Sequence, residues 1–96
     1  MIMHLKEFGS VLCTRQSGRL ANNAAMASLA QGDHVEFDFD GVESVTNSFA
    51  DELFGRLALE LGMDKLKSAM SFSHVNRSSA RFILSVMERR STAAVV

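Results

Sequence analysis

The sequence predicts a small α/β domain: a mixed, partly parallel sheet of about four strands with three helices, in the order β-β-α-β-α-β-α. Three observations point there. Residues 34–39, H-V-E-F-D-F, alternate with Val35, Phe37 and Phe39 on one face and Glu36 and Asp38 on the other, as a half-buried strand does. Ala50, Leu53, Phe54, Leu57, Ala58 and Leu61 recur at i, i+3, i+4, i+7, the stripe of an amphipathic helix. Strand-like and helix-like stretches alternate along the chain, and parallel strands joined by crossover helices bury both.

The elements follow in order. Residues 2–8 set Met3, Leu5 and Glu7 against Ile2, His4 and Lys6, and Gly9-Ser10 turns the chain into Val11-Leu12-Cys13, which predicts a strand hairpin. Residues 17–30 hold no β-branched side chain and are rich in alanine. They predict a helix with Leu20, Ala24, Ala27 and Leu29 broadly on its apolar side, lying close on a sheet. Gln31-Gly32-Asp33 ends it, with glycine at C′. After the strand at 34–39, Asp40-Gly41 turns the chain into Val42-Glu43-Ser44-Val45. Asn47-Ser48 opens the striped helix and Gly62 stops it. Residues 66–73 predict another strand, with Leu66, Ser68, Met70 and Phe72 on one side. A last helix, capped by Asn76, runs to about Arg90 with Ala80, Ile83, Leu84 and Met87 inward. The tail, 91–96, is expected to fray. No linker or repeat divides the chain, so residues 1–96 are read as a single domain.

With 47% hydrophobic and 22% charged residues, the composition is that of a folding chain. The net charge of −1 hides an asymmetry: residues 1–60 carry −5 and residues 61–96 carry +4, with eight acids and one arginine in 33–60. The two readings are solvated faces that partly cancel, or an acidic docking surface with a basic helix elsewhere. The balance argues against a nucleic-acid binder working by bulk attraction. A DNA-reading helix at 76–90 lacks a preceding helix-turn partner and carries an apolar stripe. Apolar runs fall short of the ~20 residues of a membrane span. Lys6 and Glu7 stand where a signal peptide would have its apolar centre. Cys13, the single cysteine, excludes an internal disulfide and fits a reducing compartment, so a cytoplasmic location is expected. Its apolar run reads as burial rather than nucleophilic use. His4, His34 and His74 show no metal-ligand spacing; no metal and no cofactor are expected. Arg15, Arg19, Arg77 and Arg81 are weighed as an anion patch or as separate solvated side chains.

Residues 37–50, F-D-F-D-G-V-E-S-V-T-N-S-F-A, resemble the STAS domains of anti-sigma-factor antagonists, whose central strand and following helix read like D-L-S-x-V-x-x-x-D-S-S-G-L. Laid on that pattern without gaps, Asp38-Phe39 matches the strand aspartate and its apolar neighbour, and Val42 the valine. Ser48 matches the second serine, the one a partner kinase phosphorylates in that family. Thr46, Asn47 and Phe49 replace the family's aspartate, first serine and glycine. A closer resemblance is to STAS-like domains of unknown function. It is carried by Phe8-Gly9, Thr14-Arg15 before Gly18-Arg19, the S-F-A-D-E-L-F-G run at 48–55 and a final arginine-ended helix, over most of residues 7–90. The resemblance implies a noncatalytic protein-interaction module in a partner-switching role, with Asp38, Asp40, Thr46, Asn47, Ser48, Phe49, Asp51 and Glu52 as the candidate partner-binding residues. The implied partner is a histidine-kinase-type ATPase acting as a serine kinase.

The residues themselves leave alternatives open. Ser48-x-x-Asp51 is capping-box-like, and Ser48 or Asn47 as a plain helix cap would leave an unregulated structural or assembly domain. A phosphate on Ser48 would add about −1.5 to −2 charge within an acidic segment, and repulsion of a partner is the expected effect. Asp38-Phe39-Asp40-Gly41 also resembles the D-x-D-G opening of haloacid-dehalogenase-type phosphatases, which would make Asp38 a nucleophile and Asp40 an acid–base with magnesium. After the 33–60 segment the only acids are Asp64 and Glu88, too few for that site, so an enzyme is not expected. An unpaired edge strand near the N-terminus would permit self-association.

Overall fold

The computed structural model describes residues 1–93. Its strands are β1 (Ile2–His4), β2 (Val11–Leu12), β3 (Val35–Asp38), β4 (Ser44–Val45) and β5 (Met70–Ser73). Its helices are α1 (Arg15–Ala30), α2 (47–61), α3 (Met63–Ala69) and α4 (Arg77–Ala93). Helix α2 begins as an α-turn at Asn47–Ala50, widens into a π-turn at Asp51–Gly55 and returns to α at Arg56–Leu61. Among the described residues no helix is long and apolar enough to cross a membrane.

The architecture is α/β, but its sheet is built differently from the sequence expectation. There are two sheets, β1-β3-β5 and β2-β4, and every pairing is parallel. The N-terminal hairpin does not form. After β1 the chain enters a 3₁₀ turn at Leu5–Phe8, and β2 pairs with β4 instead of folding back on β1. The same two stretches of chain therefore meet twice. Ile2 pairs with Glu36 and Val11 with Ser44, a register that slips by one residue across the intervening turns. Residues 63–69 are helical rather than extended, and only Met70–Ser73 completes the strand. Leu66 is buried either way, since one buried leucine and a later apolar pair satisfy a helical turn as well as an alternation. Helix α4 extends through residues 91–93; the rest of the tail expected to fray, 94–96, lies outside the described residues.

Val35, Phe37 and Phe39 are buried, and Phe54 from α2 meets the two phenylalanine rings. Its ring centroid lies 5.0 Å from Phe37, 6.2 Å from Phe39 and 5.5 Å from Phe72, which bolts α2 onto the sheet with edge and stacked contacts. The stripe Ala50, Leu53, Phe54, Leu57 and Ala58 is buried as its spacing requires. Helix α1 turns a different face inward. Gly18, Ala21, Asn22, Ala25 and Leu29 are buried, whereas Leu20 is 57% exposed and Ala24 and Ala27 face solvent. Small residues let α1 lie against α2. A Cβ on Gly18 would stand 2.8 Å from Glu52 Cβ and 3.0 Å from the Phe49 carbonyl oxygen. Beside that approach the buried Asn22 Nδ2 donates to the Leu53 carbonyl at 3.0 Å. In α4, Ile83, Val86 and Met87 are buried and Leu84 is exposed. Asn76 caps this helix, its Oδ1 accepting from the Ser79 amide at 2.7 Å. Cys13 is exposed rather than buried, because β2 ends at Leu12 and the next residues lead outward to the α1 cap, Thr14.

Candidate functional site

The C-terminal ends of β1, β3 and β5 lie side by side, with His4 opposite Asp38 and Asp38 opposite Ser73. Strand carboxyl ends are where open parallel α/β sheets gather functional side chains. Here Asp38 accepts from two imidazoles: His74 Nδ1 lies 2.8 Å from Oδ1 and His4 Nδ1 lies 3.0 Å from Oδ2. The Asp40 amide also donates to Oδ1, at 3.0 Å. These partners, the backbone amide foremost, hold the Asp38 carboxyl at about 2, below its ordinary 3.8. The hydrogen bond to Asp38, and then its charge, raise His74 above 6.5. His74 reaches this position with φ +53, an uncommon conformation for a residue other than glycine. One carboxylate thus ties all three strands of the larger sheet together.

Asp38 does not lead straight to α2. Phe39–Val42 form a turn closed by the Val42 amide on the Phe39 carbonyl, 2.9 Å, and β4 carries the chain to Thr46. Thr46 is the N-cap of α2: its Oγ1 accepts from the Phe49 amide at 3.4 Å and donates to the Leu12 carbonyl at 3.3 Å. The capping role expected of Ser48 or Asn47 therefore belongs to Thr46, one residue before Asn47. Its hydroxyl reaches both β2 and the third residue of the helix, so the cap and the strand pairing are made by one side chain. Ser48 is half-buried in the first turn, and Asn47 and Asp40 are exposed. Phe49 is fully buried, and Asp38 and Glu52 are nearly so, at 9% and 8% exposed. Those three stand behind the surface; Asp40, Thr46, Asn47, Ser48 and Asp51 reach it.

The acids of α2 are not a free acidic face. Glu52 is ringed by Arg15 Nη1 and Arg56 Nη1, each at 3.4 Å, and Arg19 Nε at 3.9 Å. Asp51 meets Arg15 Nη1 at 3.4 Å and Arg90 Nε at 3.5 Å. Arginines from α1, α2 and α4 converge on the two carboxylates of the π-turn, and π-turns are frequent at functional positions. Gly55 makes room for this: a Cβ there would lie 2.8 Å from Asp51 Oδ1 and 3.0 Å from Arg90 Cγ. Arg77 and Arg81 are exposed and take no part in these pairs. The anion patch weighed from the sequence is thus split, with Arg15 and Arg19 in the cluster and the other two outside it.

The sequence points to Ser48 and its neighbours but not to His4, His74, Arg56 or Arg90. Histidines seventy residues apart give no local signal; only the parallel register brings them to one carboxylate. Arg56 is visible in hindsight as the i+4 partner of Glu52. Among the described residues no group of three or more His, Cys, Asp or Glu side chains is placed to hold a metal ion.

A small parallel α/β domain with a serine in the first turn of the helix after its central strand and turn is the class of protein this geometry defines. The family model of the STAS-like domain of unknown function (DUF4325) matches residues 19–80, and the chain belongs to that family. No curated protein and no solved structure matches it.

Proposed function

We propose that the chain is a noncatalytic regulatory module that docks a protein partner through the exposed part of the strand-to-helix junction: Asp40, Thr46, Asn47, Ser48 and Asp51. In this reading Ser48 is the switch. Unmodified, it docks; phosphorylated by a partner ATP-binding serine kinase, it releases. The observation that carries the reading is that Thr46 makes the α2 cap, which leaves Ser48 half-buried in the first turn without the structural duty that would otherwise explain it. A phosphate there would add about −1.5 to −2 charge beside Asp51 and Glu52, whose carboxylates are already matched by arginines. The change in local potential would be large enough to reverse docking of a partner fitted to the unmodified surface.

The test is mass spectrometry of the chain purified from its native cells with phosphatase inhibitors present. Phosphate on Ser48 that disappears in Ser48→Ala is expected. A chain unmodified under every growth condition would leave only an unregulated assembly domain on the same fold. The phosphatase alternative is disfavoured because both Asp38 oxygens are engaged, by His74, His4 and the Asp40 amide. A carboxylate so held would have to leave three partners before attacking phosphorus. Magnesium-dependent phosphate release from an aryl phosphate, lost in Asp38→Asn, would revive it.

A further inference from the structure

We infer that the groove between α2 and α4 binds a phosphoryl dianion, gripped by Arg89, Arg90 and Asn47 and backed by Arg15, Arg19 and Arg56. The groove measures about 280 Å³ and is lined by Asn47, Asp51, Val86, Arg89 and Arg90. It opens beside the arginine cluster, where Arg15, Arg19, Arg56 and Arg90 meet two carboxylates, Asp51 and Glu52, and Arg89 in the groove brings the guanidinium groups to five. That is a surplus of three positive charges. Pinning three helices together needs no such excess.

The donors are also unspent. Each arginine in the cluster meets its carboxylates through a single nitrogen: Nη1 of Arg15, Nε of Arg19, Nη1 of Arg56 and Nε of Arg90. A guanidinium carries five N–H donors in a planar fork shaped for phosphate or carboxylate oxygens. Arg90 Nε is shielded from solvent and makes no hydrogen bond among the described residues; Asp51 Oδ1, at 3.5 Å, offsets its charge without satisfying its proton. Arg89 is exposed and takes part in no ion pair among the described residues. A dianion offsets more of the surplus than a single carboxylate would, and accepts from both forks at once. This site does not depend on Ser48 being modified.

The test is calorimetric titration of the full chain with inorganic phosphate and, separately, phenyl phosphate, at an ionic strength fixed with chloride, alongside amide and arginine Nε spectra. Saturable binding is expected, with shifts confined to Asn47, Asp51, Arg89 and Arg90. Arg89→Gln should weaken it about tenfold, or about 1.4 kcal/mol, with an unchanged melting midpoint. Arg90→Gln should act in the same direction. Arg81→Gln, on the same helix but outside the groove, should leave affinity within about twofold, as a screened exposed charge does. Tighter binding of phenyl phosphate would make the occupant an esterified phosphate; tighter binding of inorganic phosphate would make it the free ion. Titrations that never saturate, or equal weakening by Arg81→Gln and Arg89→Gln, would overturn the site and leave only diffuse charge.

Discussion

Asp38 works through its protonation partners. Its carboxyl, lowered to about 2 from 3.8 by the Asp40 amide, His74 and His4, adds stability that is present above 3.8 and lost as the pH falls through about 2. His74, raised from 6.5 chiefly by its hydrogen bond to Asp38, adds stability that is present below 6.5 and lost as the pH rises through its raised value. The two contributions overlap between 3.8 and 6.5, where the clamp across the three strands is strongest. Denaturant melts of the wild type are expected to lose stability as the pH rises above 6.5. His74→Asn keeps a residue tolerant of positive φ and should remove most of that loss; an unchanged pH profile would show that the clamp carries no protonation energy. Thr46 gives a second expectation. Thr46→Ala should cost about 1 kcal/mol through the lost cap, while Ser48→Ala should change the unfolding midpoint little. Equal costs would return the capping role to Ser48. The capping duty of Thr46 was not legible in the sequence, where Thr46 reads only as a replacement for the family's aspartate. A cap depends on which hydroxyl faces the third helical amide, and that follows from the path of the chain out of β4.

Helix α1 shows what periodicity reads and what it misses. In α2 the stripe is made of leucine and phenylalanine, so apolar spacing alone identifies the buried face, and the structure buries it. In α1 the buried face is Gly18, Ala21, Asn22, Ala25 and Leu29. These side chains carry little hydrophobic weight, and the eye goes instead to Leu20, which is 57% exposed. What selects the small face is the closeness of α2. Gly18→Ala would place a methyl group 2.8 Å from Glu52 Cβ and 3.0 Å from a carbonyl oxygen that cannot move aside cheaply. Overpacking of about 1–3 kcal/mol outweighs a helix-propensity gain of about 1 kcal/mol. Chemical denaturation should therefore show net destabilisation of about 1–2 kcal/mol, whereas Leu20→Ala should stay within about 0.5 kcal/mol. The reverse ranking would put the sequence-predicted face inside after all. The π-turn has no sequence signature of its own. It shows only once Asp51 and Glu52 are seen reaching arginines on two other helices as well as Arg56.

At the scale of the whole molecule, the α/β class, the central strand and the position of the striped helix follow directly from hydrophobic spacing. The sheet order does not. Two-residue strands such as β2 and β4 carry no pattern of their own, and their pairing exists only because the first and third chain segments run parallel for a second time beyond their turns. Phe54 is the keystone of the packing between α2 and the sheet, with three ring partners; Phe54→Ala should cost about 3–5 kcal/mol and abolish cooperative unfolding in so small a domain. That core holds the junction bearing Ser48 at a fixed surface position, the central requirement of a docking module. The most direct measurement is affinity capture from the native lysate with wild type, Ser48→Ala and Ser48→Glu in parallel, each bound partner identified and its yield quantified. Glutamate in the first turn suits the helix dipole, so the fold should survive the change. Wild type and Ser48→Ala should hold the same partner and Ser48→Glu should lose it by tenfold or more, about 1.4 kcal/mol; equal capture by all three would contradict a docking switch at Ser48.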